Sequence, residues 1–159
     1  MEEKLAELYK GLAEKITSMI PTQWNQLYYL GEVEKGKQSW SSVFYFTDES
    51  DGKTVKSHDI PAVYNVSQQS YSKLLSEVSS LLIALYDCFA ANEQELWEQV
   101  SFVLSNNGKF KVDFTYNVMH EKDGGQSMRE LIWAYETFGF VPREGSRSKK
   151  MLDNYLREK

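Results

Sequence analysis

Cysteine is all but missing from this 159-residue chain, and the single Cys88 has no partner for an internal disulfide. Its place in an apolar helical pattern is that of a small buried side chain rather than a reactive thiol. Histidine is nearly as scarce. His58 and His120 stand 62 positions apart, so no ligand pair is pre-formed, and neither a metal nor another cofactor is expected. Long apolar runs are lacking too: the longest, Leu81 to Tyr86, is six residues, against the roughly 20 that span a bilayer. The amino terminus, with Glu2 and Glu3 before Lys4 and no apolar run behind them, is not the pattern of a secretory signal. With neither signal nor disulfide, a cytoplasmic protein without membrane contact is expected. No phosphate-binding glycine loop, thiol pair, nucleophile elbow or internal repeat appears, so no known enzyme class is signalled and no enzyme is expected.

What is present is core material. Proline and glycine number only 3 and 9, and hydrophobic residues make up 42%, which excludes a disordered chain and fits one packed domain. Charge is uneven. Residues 143 to 159 carry six Lys or Arg against three acids, and the other 142 residues carry 12 against 20. An acidic body repels nucleic acid phosphates and attracts basic proteins, so a protein partner is expected and direct nucleic acid binding is not.

The stretch Trp97 to Tyr116 sets its own register. Phe110, Val112, Phe114 and Tyr116 alternate with Lys109, Lys111, Asp113 and Thr115, the mark of a half-buried strand. A three-residue Asn106-Asn107-Gly108 loop pairs Leu104 with Phe110, Phe102 with Val112 and Val100 with Phe114, whereas a two-residue turn would mix the faces. The apolar side of this ribbon needs a helix.

The remaining chain supplies one. Residues 2 to 20 read as a helix stopped by Pro21, and strands are expected at 24–33, 40–47 and 53–57. The second of these is apolar on both faces through Val43, Phe44, Tyr45 and Phe46, which places it inside the sheet. A long helix follows, with Ser67 as N-cap and Val66 and Tyr71 as a staple. Its stripe of Tyr71, Leu74, Leu75, Val78, Leu81, Leu82, Leu85 and Phe89 is the cover for the sheet. Ser127 and Glu130 have the form of a capping box opening a further helix, which Gly139 and Pro142 end. Met151, Leu152, Tyr155 and Leu156 trace a narrow seam on a short last helix. The expected fold is therefore α+β: an antiparallel sheet of about five strands in hairpins, under a long central helix, with amino- and carboxy-terminal helices. Residues 1–142 are taken as one domain and 143–159 as a basic tail.

Ser57-His58-Asp59 invites a triad reading, but adjacent residues on an extended chain point in alternating directions and cannot stack as nucleophile, base and orienter.

The chain resembles the YezG-type immunity proteins, antitoxins that bacteria carry beside secreted polymorphic toxins of the LXG and related systems. The likeness covers residues 1 to about 142. It rests on Ile20-Pro21 with Trp24, on Ser57-His58-Asp59-Ile60-Pro61 with Tyr64-Asn65-Val66, on Asn107-Gly108-Lys109-Phe110 with Asp113, and on Trp133-Ala134-Tyr135 leading to Phe138-Gly139-Phe140-Val141-Pro142. The resemblance implies a non-enzymatic α+β protein that binds a cognate toxin domain, in several members a nuclease, and blocks it. The acidic body agrees, since nuclease domains are commonly basic. Contact residues are then expected among exposed acids at strand ends and loops: Glu32, Glu34, Asp48, Glu49, Asp51 and Asp113. The competing expectation is a small-molecule-binding module or hydrolase in which His58, Asp59 and His120 converge.

Overall fold

Strand β1, Trp24–Val33, is the centre of the sheet because it pairs on both edges. The computed structural model describes all residues from 1 to 159, and they fall into two compact units, Met1–Asn117 and Val118–Lys159. In the first unit β1 pairs with β2 (Trp40–Asp48) on one side and with β4 (Gln99–Ser105) on the other. The short β3 (Thr54–Lys56) and β5 (Phe110–Thr115) form the edges, giving the order β3-β2-β1-β4-β5 with every pair antiparallel. Strand β2 is thus interior, as its two apolar faces require, with Val43, Phe44, Tyr45 and Phe46 all buried. The hairpin has the expected register of Leu104 with Phe110, Phe102 with Val112 and Val100 with Phe114. Gly108 holds φ +90, and its amide donates to the Ser105 carbonyl at 2.9 Å, the left-handed position a three-residue loop needs.

One face of the sheet presents Leu27, Tyr29, Val33, Phe44, Phe46, Val100 and Phe102. Two helices cover it, α1 (Glu2–Ser18) with Leu8, Leu12 and Ile16, and α3 (Gln68–Ala91) with Tyr71, Val78, Leu82, Leu85 and Phe89. Each such side chain contributes roughly 1.5–3 kcal/mol on full burial, so this stripe is a major part of the core. Ser67 caps α3 as expected, its hydroxyl accepting the Ser70 amide at 3.0 Å. The helices lie side by side, with Lys15 and Glu77 paired at 2.7 Å. Cys88 is buried.

Helix α3, 24 residues long, is long and apolar enough to cross a membrane by length and composition alone, although its longest uninterrupted apolar run is six residues. Serines break its run, yet its stripe packs on the sheet as a core helix does. The stretch Ser57-His58-Asp59, taken above as extended chain, is instead a 3-10 turn at Ser57–Asp59 running into a short helix, α2 (Ile60–Tyr64), with Pro61 in its first turn. Proline suits that position because its missing N–H has no helical acceptor there. Asn65, at φ 56, ends it.

The second unit holds α4 (Gln126–Phe138) and α5 (Arg147–Glu158). Helix α4 starts one residue before Ser127, so the capping box does not form. Gly125 precedes the helix at φ 87, and Asp123 accepts the Gly125 amide at 2.6 Å and pairs with Arg129 at 2.8 Å. Gly139, left-handed at φ 72, ends α4. The seam on α5 docks on α4 through buried Leu152, and the Tyr155 hydroxyl donates to Glu136 Oε1 at 2.7 Å.

Candidate functional site

The acids expected to meet a partner do not form one patch. Asp48, Glu49 and Asp51 share the turn between β2 and β3, at the end of the sheet where Trp24 pairs with Asp48. Glu32 and Glu34 lie at the other end of β1, about 26 Å away at the rise of a strand. Asp113 is exposed on the edge strand β5, 3.8 Å from Lys111.

Two of the six are buried. Asp48 is 7% exposed and organises its turn: it accepts the Ser50 hydroxyl at 2.7 Å, the Ser50 amide at 2.9 Å and the Tyr64 hydroxyl at 2.8 Å. These bonds, the Ser50 hydroxyl foremost, hold its carboxyl below the usual range. Desolvation and the Asp48 bond push the Tyr64 hydroxyl up to about 12. Glu32 is 2% exposed and accepts from Gln99 Nε2 at 2.9 Å. Burial removes both from direct contact with a partner. Glu49, Asp51 and Asp113 are exposed and Glu34 is half-buried, so these four can reach one.

The histidines have local roles. His58, in the first unit, has Nδ1 3.5 Å from Ser57 Oγ, while that same hydroxyl accepts the Phe44 amide at 3.2 Å. Desolvation first, and Lys56 second, lower the His58 pKa against the opposing effect of Asp59. His120, in the second unit, donates its amide to Asp123 Oδ2 at 3.0 Å and accepts the Lys122 amide on Nδ1 at 3.3 Å. Asp123 is thereby held at about 2, mainly by the Gly125 amide and then by the His120 amide. The loop from His120 to Gly125 is thus a brace around the Asp123 carboxylate. No group of three His, Cys, Asp or Glu side chains is arranged to hold a metal.

Sequence reasoning overlooked an open groove of about 510 Å³ in the first unit, lined by Lys37, Trp40, Ser76, Ser79, Ser80 and Ile83. Trp40 begins β2 and is 50% exposed, an uncommon position for so large an apolar surface. The serines lie on the flank of α3 away from its buried stripe, where their spacing of three and four already put them on one face. Charge is concentrated in the same unit: residues 1–117 carry ten Lys or Arg against sixteen acids, and residues 118–159 carry eight against seven.

Comparison with known proteins places the chain in a family. Two proteins named Immunity protein YezG are similar over nearly their whole length. That of Bacillus subtilis is 30% identical over 154 residues, 96% of this chain and 99% of that protein. That of Bacillus spizizenii is 28% identical over 154 residues, 97% of this chain and 94% of that protein. The type VII secretion system protein EsaG of Staphylococcus aureus is 28% identical over 159 residues, 99% of this chain and 96% of that protein. Residues 5–152 match the family described as immunity protein YezG-like, so this chain is a member of the YezG-like immunity protein family.

Proposed function

We propose that this chain is the antitoxin of one secreted bacterial toxin, binding the toxin domain directly in the cytoplasm of the producing cell and blocking it by contact rather than by catalysis. The toxin domain is a basic nuclease. The observation that carries this reading is the family match across residues 5–152, which takes in every sheet strand, all of α3 and all but the first three residues of α1. The acid excess of the first unit supports the nuclease assignment, since a surface that binds DNA phosphates is itself cationic and is drawn to carboxylates.

Co-expression tests it in cells. Bacteria producing the neighbouring toxin domain are expected to grow only when this chain is produced with it. Equal killing with and without the chain would reject the pairing. For the charge component, Glu49→Lys with Asp51→Lys should slow association and flatten its dependence on salt. An association rate that stays the same would remove charge from the account.

A further inference from the structure

We propose that the open half of the β2 edge, together with the Trp40 groove, receives an extended segment of the toxin that adds a strand to the sheet; the proposal rests on the immunity reading above. Strand β2 spans nine residues and β3 only three, pairing with Tyr45, Phe46 and Thr47 alone. Beyond Lys56 the chain leaves the sheet in the 3-10 turn, whose Ser57 still meets the Phe44 amide, so the line beside Trp40 to Ser42 is vacant.

Antiparallel pairing alternates the direction of backbone groups. The Phe44 amide points off the β3 side, because it is bonded by Ser57 Oγ there. By alternation the amides and carbonyls of Trp40 and Ser42 point off the same edge. Neither β3 nor the turns supply them a backbone partner. Ser42 is nevertheless only 8% exposed. Backbone groups so close to the interior are rarely left without a partner, and an open edge is the template an incoming strand completes.

The surroundings suit a strand. Side chains of even-numbered residues on β2 face the helices, as Phe44 and Phe46 do, so the exposed Trp40 ring stands on the α3 side of the vacant line. Ser76, Ser79, Ser80 and Ile83 of α3 line the same groove, the serines with short side chains that leave room. Alternate side chains of the incoming segment would lie between Trp40 and this flank, and tryptophan in such a pocket is the residue type that dominates interface energies. The one charged residue lining the groove, Lys37, is already engaged by Asp87 at 3.0 Å, so the excess of sixteen acids over ten bases in this unit favours a segment bearing Lys or Arg over an acidic one.

Amide hydrogen exchange on the full chain, alone and with the purified toxin domain, tests the edge directly. The Trp40 and Ser42 amides should exchange freely in the unbound protein and slow by roughly tenfold or more in the complex. Trp40→Ala removes the groove wall, and Ser80→Trp fills the groove from an exposed helix position. Each should weaken binding by roughly thirtyfold while leaving the urea midpoint within error. Binding with both amides unprotected and both variants at wild-type affinity would overturn the strand addition and leave the immunity reading standing. No binding of the toxin domain by the wild-type chain would overturn both. Doubled mass of the chain alone, with the two amides already slow, would assign the edge to a second copy and overturn the toxin assignment.

Discussion

Gly31→Ala is expected to be among the most damaging single-methyl changes in this protein. Gly31 lies in the middle of the central strand, opposite Ser42 on β2 and Val100 on β4. The absent side chain leaves the slot in which the Tyr29 ring lies along the strand, so that its hydroxyl reaches Ser42 Oγ at 2.7 Å. A Cβ at position 31 would stand 2.6 Å from that hydroxyl, 3.1 Å from the ring carbon Cε2 and 2.6 Å from Leu82 Cδ1. Tyr29 and Leu82 are fully buried, so neither can swing into solvent. Overpacking of this kind costs about 1–3 kcal/mol. Displacing the Tyr29 hydroxyl, a group whose pKa burial already drives far up, leaves a buried donor unsatisfied at about 1–3 kcal/mol. Replacing glycine restricts the unfolded chain and returns about 0.5–1 kcal/mol. The net expectation is a loss of about 2–4 kcal/mol, or a fall in the urea midpoint of about 1–2 M at a slope near 2 kcal/mol per M. Leu82→Ala vacates one clashing atom, so the double variant should lose less than the two single losses added together. A Gly31→Ala midpoint within about 0.3 M of wild type, or strict additivity with Leu82→Ala, would refute the packing argument.

Two further outcomes concern titrating groups. Asp48→Asn removes the charged acceptor of the Tyr64 hydroxyl, and the Tyr64 titration, raised to about 12, should move back toward 10.0 when followed by ultraviolet absorbance. Because the Asp48 pKa is lowered on folding, its contribution to stability is present above the unfolded value and lost as pH falls through the folded one, and acid unfolding of the asparagine variant should lack that component. Asp123 follows the same sign, with a folded value of about 2 against 3.8. The amides of His120 and Gly125 should therefore hold their native shifts at pH 4 and lose them together between about pH 3 and 1, whereas Asp123→Ala should show the altered shifts at every pH. Unchanged shifts in that variant would remove the brace.

The parts of this fold that a reader of the sequence can reach are those in which one local pattern decides the outcome. The hairpin register followed from strict alternation and a glycine at the turn, and α3 from a serine cap and a five-turn stripe. What escaped was set by distant neighbours or by competition between local signals. Helix α2 is five residues long, too short for a period, and its Pro61 reads equally as a breaker or as a first-turn residue. Ser127 has the letters of a cap, but two glycines at positive φ, Gly124 and Gly125, let Asp123 fold back and start the helix earlier. Glu32 and Asp48 look like surface acids until β1 acquires a partner on each edge, and β4, one of those partners, lies across the whole of α3 in sequence. The groove was equally hidden, since an open edge is visible only once the length of β3 is compared with that of β2. Serines at 76, 79 and 80 were legible as a face, but nothing in them said what stands opposite.

The central claim is neutralisation by direct contact, and the most direct measurement is a titration of purified toxin domain with purified chain, with DNA cleavage and heat of binding followed on the same samples. Cleavage falling in proportion to added chain and reaching zero at one equivalent, at the same ratio where the heat saturates, is the predicted result. Full cleavage in the presence of excess chain would contradict it, whether or not heat is released.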